Sequence, residues 1–379
     1  MSGVATAEDR ARKTIEIFRR SEREREALES MYAEVFGPEA AERNRARFRW
    51  QYEENPHCPP EGPEIWVAVL DGVVLGQYAT MPVRLLVKGR TLRGSWGMDV
   101  MVRPNLQRKG IGSRLFLYWD QQVEASLGLG LSLQSYTLFR KLQWKDVGPV
   151  PCYSKVVDPK VLLSRRLPGA LAALATPLVR AALWLFFPTR PTRPTRTTRP
   201  TRRNGEISLR VGPLEGDFGT EYDVLWETAS PKFDFVAERK REYLQWKYRK
   251  PPHVRYDVFE ARRGPSGELA GYVVLRAAVR NGVRLALLVD LFADPEDEET
   301  LGALLDRAIE YTREASAARL QSFTYDRRIA SRLLAKGFLL IASPMQFCVR
   351  IKSGVDEEFF RDTSRWHVTF GDSDQDREL

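Results

Sequence analysis

The 379-residue sequence predicts an α/β protein of the α+β kind, written twice along the chain. Three observations carry that reading. The stretch "FRWQYEENPH" (48–57) returns as "LQWKYRKPPH" (244–253), so that Trp50, Tyr52, Pro56 and His57 keep the spacing of Trp246, Tyr248, Pro252 and His253. A long apolar hairpin follows each copy. A strand, a loop and an amphipathic helix then follow each hairpin in the same order.

In the first half, "TIEIFRR" reads as a strand and leads to a helical stretch from Ser21, where Ser21 and Glu24 have the spacing of a capping box. "WVAVLDGVVLGQYATMPVRLLV" is a hairpin turned at Asp71-Gly72, a dipeptide suited to the positive φ of a two-residue turn. "MDVMVRP" is the next strand, a helix spans 112–126, and "LSLQSYT" (131–137) reads as a strand entering another helix. The second half repeats this with "ISLRVGPL", a helix from Glu215, a hairpin turned around 264–267, "VDLFADP", a helix over 296–315 and "ARLQSFT" (318–324). Asp99 and Asp290 each stand five residues before a proline, Pro104 and Pro295. The common unit is β-α-β-β-β-α-β-α. It divides the chain into 14–160, a linker at 161–205, a second half at 206–352 and an acidic tail at 353–379.

Composition narrows the function classes. The three cysteines, Cys58, Cys152 and Cys348, are widely spaced, which argues for a reducing compartment and against a disulfide framework or a zinc site. The three histidines are scattered, and no metal is expected. The N-terminus has no apolar signal region, so a cytoplasmic location is expected. The formal charge of +9 is matched by nine arginines and no acid within 161–204, which leaves the rest formally neutral. A general nucleic-acid-binding surface is therefore not expected.

The two copies differ after their fourth strand. The first has Gln107-Arg108-Lys109-Gly110-Ile111-Gly112 between strand and helix, and the second has the acidic "EDEETLG". A turn of this kind aims unsatisfied backbone N–H groups of a helix start at one point, with the helix dipole, Arg108 and Lys109 adding positive potential. Glycines let a ligand approach the backbone closely. The stretch reads as a phosphate or pyrophosphate cradle, or else as a basic turn whose glycines only reverse the chain. The dinucleotide fingerprint and the P-loop pattern both fail on it.

Val102-x-Pro104-x-x-Gln107-x-x-Gly110-x-Gly112, placed after the fourth strand, resembles the acyl-CoA pyrophosphate loop of the GNAT N-acyltransferase superfamily. The resemblance covers about 14–157, and by repeat logic 206–351 resembles a second, degenerate GNAT fold. Tandem halves of this kind more distantly resemble Fem-type aminoacyl transferases. The resemblance implies two mixed, bent sheets flanked by helices, each split between strands four and five, where the pantetheine arm lies. It implies acetyl-CoA or another acyl-CoA as co-substrate, held by Val100, Met101, Val102, Gln107, Arg108, Lys109, Gly110, Ile111, Gly112 and Ser113. The oxyanion donor would be a backbone N–H near Val100.

For the chemistry, Asp99 is the candidate base, although Asp290 holds the same place in the half without the loop, which also fits a structural pair. The helix-four run "FRKLQW" (139–144) has Phe139 where the family has a tyrosine acid, and Gln143 where it has glycine. Tyr136, one turn earlier, is either a substitute acid or a packed aromatic. Trp50, Tyr52 and His57 recur in both halves, which points to packing rather than substrate contact. Cys152 has no adjacent base and reads as inert.

Residues 167–187 are long enough to span a bilayer, but prolines, Arg180 and arginines on both flanks argue instead for an interfacial helix with Leu171, Leu174, Leu178 and Leu185 along one side, or else for a helical hairpin packed on the protein and followed by a solvated linker. The Pro-Thr-Arg run from Pro188 reads as extended and disordered. Its six arginines within 190–203 suit an anionic membrane surface, so 167–203 is the candidate membrane contact on the cytoplasmic face. The tail segment "WHVTFGDSD" (366–374) alternates like a strand and either adds an edge or reaches the cleft to hold an amine. The combined reading is an acyltransferase acting on a primary amine, with an envelope or exopolysaccharide precursor as candidate acceptor. A non-catalytic acyl-CoA-binding adaptor and a Fem-type transferase are the alternatives.

Overall fold

The computed structural model describes residues 15–163, 168–186, 201–203, 206–280 and 282–375. The described chain opens with β1 (Glu16–Arg19), and Ser21 and Glu24 form the expected capping box where it turns into α1 (Arg25–Phe36). α2 (Pro38–Phe48) runs straight into a wide π-turn at Arg49–Glu53 that carries Trp50 and Tyr52. β2 (Ile65–Leu70) and β3 (Val73–Val87) form the hairpin at Asp71-Gly72, and β4 (Arg90–Val102) returns beside β3. After α3 (Ile111–Gln122) come β5 (Ala125–Leu129), α4 (Leu133–Lys141), β6 (Lys145–Pro149) and β7 (Cys152–Val156).

The strand expected at 131–137 is not there. β5 lies six residues earlier, and Ser132 instead caps α4 by accepting from the Ser135 N–H. The "LQS" shared with the second half is therefore a chance echo. The fully buried run Ala125–Leu129 is the true strand, as its unbroken apolar and small residues suit a central position.

Between the halves stand α5 (Pro159–Leu163), α6 (Gly169–Phe186) and β8 (Thr201–Arg203). The last residues of the run expected to be disordered, Thr201–Arg203, are instead a strand, since β8 pairs with β9 (Glu206–Pro213). Residues 187–200, and the side chains of Trp184 and Leu185, lie outside the described ones. The second half continues with α7 (Glu221–Ala229), β10 (Phe235–Ala237), α8 (Arg241–Leu244) and a second π-turn, Gln245–Arg249, that carries Trp246 and Tyr248. β11 (Asp257–Arg263) and β12 (Glu268–Arg280) form the hairpin turned around 264–267, followed by β13 (Val283–Ala293), α9 (Glu298–Glu314), β14 (Arg319–Phe323) and α10 (Arg327–Ala335). β15 (Leu339–Ile341), β16 (Gln346–Ile351), α11 (Glu357–Arg361) and β17 (Trp366–His367) end the described chain.

The halves exchange their last strands. The first sheet runs β1-β2-β3-β4-β5-β16-β6, with β10 and β17 attached at β3. The second runs β15-β7-β14-β13-β12-β11-β9-β8. β16 thus sits between β5 and β6 of the first half, while β7 sits between β14 and β15 of the second. A cut near 160 would leave each sheet missing a central strand, so the boundary drawn at 160 separates sequence repeats but not folding units.

The repeated Trp and Tyr now have a physical account. Trp50 Nε1 donates to the Trp246 carbonyl at 2.8 Å, and Trp246 Nε1 donates to the Trp50 carbonyl at 2.7 Å, with the rings stacked 5.1 Å apart. This reciprocal pair marks a pseudo-twofold axis between the halves. Tyr52 and Tyr248 point the other way, each giving its hydroxyl to the strand-four aspartate of its own half, Asp99 and Asp290. His253 packs on Trp50 and His57 on Tyr243 across the same contact. These contacts account for the recurrence of the residues in both halves by packing.

Candidate active site

The turn between the fourth strand and its helix forms where it was expected. β4 ends at Val102, a single 3-10 turn spans Pro104–Leu106, and Gly110 at φ 84° caps α3 in the left-handed region that glycine adopts at least cost. Val100, Met101, Val102, Gln107, Arg108, Gly110, Ile111, Gly112 and Ser113 all line one open groove of about 640 Å3, and Lys109 stands outside its lining. A Cβ on Gly112 would meet only Leu138, at 3.9 Å, so no protein atom requires glycine there. The open side is the groove itself. First-turn amides, the dipole of a twelve-residue helix and Arg108 together fit the diphosphate of an acyl-CoA.

The groove runs into a split in the sheet. β4 and β5 pair in parallel only from Gly94 to Trp96, against Ala125 to Leu127, and diverge beyond. A bulge in β4 lies just past the fork: Gln77 faces Met101 and Ala79 faces Met98, so that Asp99 and Val100 together stand opposite Tyr78. The cleft here, about 260 Å3, is lined by Phe36, Tyr78, Gly97, Asp99, Val100, Phe116, Phe139, Asp374 and Gln375 among others. It shares Val100, Phe116, Ser132 and Ser135 with the groove, so cradle and cleft are continuous.

Asp99 occupies the bulge at φ 27°. Its carboxylate accepts from the Tyr52 hydroxyl at 2.5 Å, from Tyr32 at 3.3 Å and from Asn44 at 3.3 Å, and Arg47 lies 3.7 Å away. Its side chain is 4% exposed. A carboxylate so surrounded is built to hold the bulge, and leaves little acceptor capacity for an incoming ammonium. Tyr136, the other candidate for the chemistry, does not line the cleft. Its hydroxyl donates to Asp146 on β6, and that bond is the main reason its pKa is raised. Phe139 does face the cleft, packed edge-on to Phe116 at 5.0 Å, and it carries no acid. Cys152 is buried, and burial pushes its thiol up to about 12, in keeping with an inert residue. Among the described residues there is no cluster able to hold a metal.

Sequence reasoning missed Tyr78, which only the bulge register brings to the cleft. For the tail it left two courses open, an added edge strand or a reach to the cleft. β17 does pair with β10, and the residues after it run on into the split of the second half. There the Gly371 N–H donates to the Val289 carbonyl at 2.8 Å, and Phe370 packs on Phe323 at 4.1 Å. Beneath them Arg239 bridges Asp290 and Asp372, both at 3.1 Å, with all three buried. Burial opposes ionisation of Asp290, but Arg239 and His367 outweigh it and hold its carboxyl well below the usual range. The second split is plugged by the chain's own tail. Asp374 and Gln375 then emerge at the open cleft of the first half.

Residues 17–136 match the family model of the acetyltransferase (GNAT) domain. This stretch is a GNAT domain. Three solved structures share the wider fold across both halves. A GCN5-related N-acetyltransferase from Anabaena variabilis is 12% identical, with 89% of this chain and 73% of that one covered at a TM-score of 0.57. A conserved protein of unknown function from Enterococcus faecalis is 12% identical, with 89% and 72% covered at 0.59. The N-myristoyltransferase of Saccharomyces cerevisiae, solved with bound myristoyl-CoA, is 12% identical, with 92% and 86% covered at 0.51. No curated protein matches the chain in sequence. The match to the GNAT domain stops at Tyr136, before the exchanged strands, so the family model covers the cradle and the bulge but not the tandem arrangement.

Proposed function

We propose that the chain is an acyl-CoA-dependent N-acyltransferase whose first half binds the thioester and passes a short acyl group, such as acetyl, to a primary amine. The observation that carries this is the continuity of cradle, split and bulge: one groove leads from the anion-binding turn to the backbone of Val100, placed to receive a developing oxyanion. Positioning of amine and thioester supplies much of the rate. The aromatic end wall of Tyr78, Phe116 and Phe139 suits a short acyl group. Asp374, at the mouth of the cleft, is placed to attract an ammonium and take its proton.

On the other side of the bulge lies a second cavity of about 430 Å3, lined by Arg20, Arg25, Arg45 and Arg49, by Glu29 and Glu53, and by Tyr32 and Tyr52 among others. Met101 lines both this cavity and the groove. Arg25 and Arg45 pair with Glu29, Arg20 with Glu22 and Arg49 with Glu54, so the lining is polar and of mixed charge and suits a polar amine, such as an envelope or exopolysaccharide precursor. Thiol release from acetyl-CoA with a panel of amines tests the reading, and a dependence on charged tRNA would point instead to a Fem-type transferase.

Asp99 acts by position in this reading. Asp99→Asn should lower kcat by about 10²-fold with the KM for acyl-CoA little changed, and the loss should persist at high pH. Recovery at high pH, where free amine is abundant, would return the carboxylate to the role of base.

The linker helix is read as a membrane contact. Leu171, Leu174 and Leu178 on α6 are all more than half exposed. No described helix is long and apolar enough to cross a membrane. Co-sedimentation with anionic vesicles should fall as salt rises and fall again when the six arginines within 190–203 are neutralised. Equal partitioning onto neutral vesicles at high salt would contradict this.

A further inference from the structure

The fork of the first sheet holds a hydroxyl with nothing to bond. Tyr78 is 1% exposed, yet its hydroxyl makes no hydrogen bond among the described residues, and it lines the cleft. Its ring is fixed by Phe116 at 4.4 Å and Trp119 at 4.8 Å. The ring is buried but the hydroxyl oxygen opens onto the cleft, so water or a bound ligand is what can supply its partner.

The position of this hydroxyl is set by two glycines. Gly97 and Gly128 are the next residues beyond the last parallel pair, Trp96 with Leu127, so they stand at the apex of the split. A Cβ on Gly97 would lie 2.0 Å from the Tyr78 hydroxyl, and one on Gly128 would lie 2.5 Å from Phe139 Cζ. The two rings therefore reach under the apex from opposite sides, one from β3 and one from α4. Tyr78 is also the residue that faces the Asp99-Val100 bulge.

The second half shows what becomes of this arrangement where no cradle exists. By register, Val273 stands in place of Tyr78, since it pairs with Leu291 between Tyr272–Phe292 and Val274–Asp290. Leu288 and Ser322 stand in place of Gly97 and Gly128, and they pair with each other, closing the fork one residue further along. Hydroxyl, glycines and cradle are absent together. A residue needed only for packing has no reason to follow the cradle in this way.

We propose that the Tyr78 hydroxyl is the hydrogen-bond donor to the thioester sulfur of the bound acyl-CoA, reaching from β3 the place where Phe139 has no hydroxyl to offer. The inference rests on the acyltransferase reading above. As the C–N bond forms and the C–S bond breaks, the bonding pair passes to sulfur, and Tyr78 stabilises the charge that develops there. The nitrogen gives its proton to Asp374 or water, and the thiolate takes one from water. Burial raises the Tyr78 pKa well above its ordinary value, so the phenol keeps its own proton and acts as a donor throughout.

Tyr78→Phe should lower kcat by about 10²-fold, leave the KM for acyl-CoA within about threefold, and leave Tm little changed, because the hydroxyl bonds no described protein group. Adding Phe139→Tyr to that variant should restore at least about tenfold of the rate by returning a hydroxyl from α4. A Tyr78→Phe enzyme with the kcat of the wild type, or with a loss confined to KM, overturns the assignment, as does a folded double variant that stays slow. Calorimetry gives an arm that needs no turnover. Wild type should prefer free CoA over desulfo-CoA, increasingly so as pH rises through the thiol range near 8.5, and Tyr78→Phe should abolish the preference. No preference in the wild type rejects the donor role, whereas a preference in a chain that releases no thiol with any amine would fault the acyltransferase reading alone.

Discussion

Asp290→Asn will destabilise the protein by about 3–5 kcal/mol, because it leaves the buried Arg239 guanidinium short of one of its two carboxylates. Thermal unfolding should show a drop on the order of 10 °C. The pH dependence has a definite sign. The folded-state pKa of Asp290 lies below its unfolded value near 3.9, so its contribution is complete at neutral pH and lost as the pH falls from about 4 toward the folded value. The variant should therefore differ most from wild type at neutral pH and least in strong acid. Acyl-CoA binding in the first half should survive at temperatures where the variant is folded. Stability within about 1 kcal/mol of wild type would mean that the tail is not anchored through this cluster.

Gly112→Trp should abolish the thermal shift produced by CoA. A tryptophan there meets little of the protein, since the nearest atom to its Cβ is Leu138 Cδ2 at 3.9 Å, so its bulk goes into the groove that the diphosphate needs. A ligand at one hundred times its dissociation constant stabilises by about 2.7 kcal/mol, and all of that should disappear. Glu298→Gln and Glu299→Gln change the corresponding loop of the second half, where each glutamate pairs with an arginine near the surface, Arg332 and Arg263. The CoA shift should persist in both. A Gly112→Trp protein that still shifts with CoA would put the ligand elsewhere.

The parts of the site that were legible in sequence are those written in contiguous residues. Gln107 to Ser113 show the turn they form through spacing and glycine content, because a loop that feeds a helix start takes its shape from its own backbone. The capping box at Ser21 and the hairpin turns were legible for the same reason. The strand at 125–129 was misplaced because a buried five-residue strand of small and apolar residues has no period to recognise, while "LQS" offered a false match. Tyr78 was invisible because its meaning depends on pairing register: one bulge sets it opposite Asp99 and Val100, and nothing in the local sequence reports that. Tyr136 and Phe139 differ in outcome through helix phase alone, with one turned to Asp146 and the other to the cleft.

Local pattern thus determined that the chain is a tandem α+β protein with a glycine-punctuated basic turn in its first half only, since hydrophobic period, turn chemistry and repeat spacing are properties of short segments. Tertiary structure decided the rest. It exchanged β7 and β16 between the sheets, stacked Trp50 on Trp246 at the axis, drew the tail into the second split and left the first one open. These are contacts between residues far apart in the chain, governed by which apolar surfaces and buried charges can be satisfied together. Asp290 shows the difference most plainly. In sequence it is the twin of Asp99, and only the arrival of Arg239 and Asp372 from distant segments makes it the centre of a closed structural cluster while Asp99 stands at the edge of an open cleft.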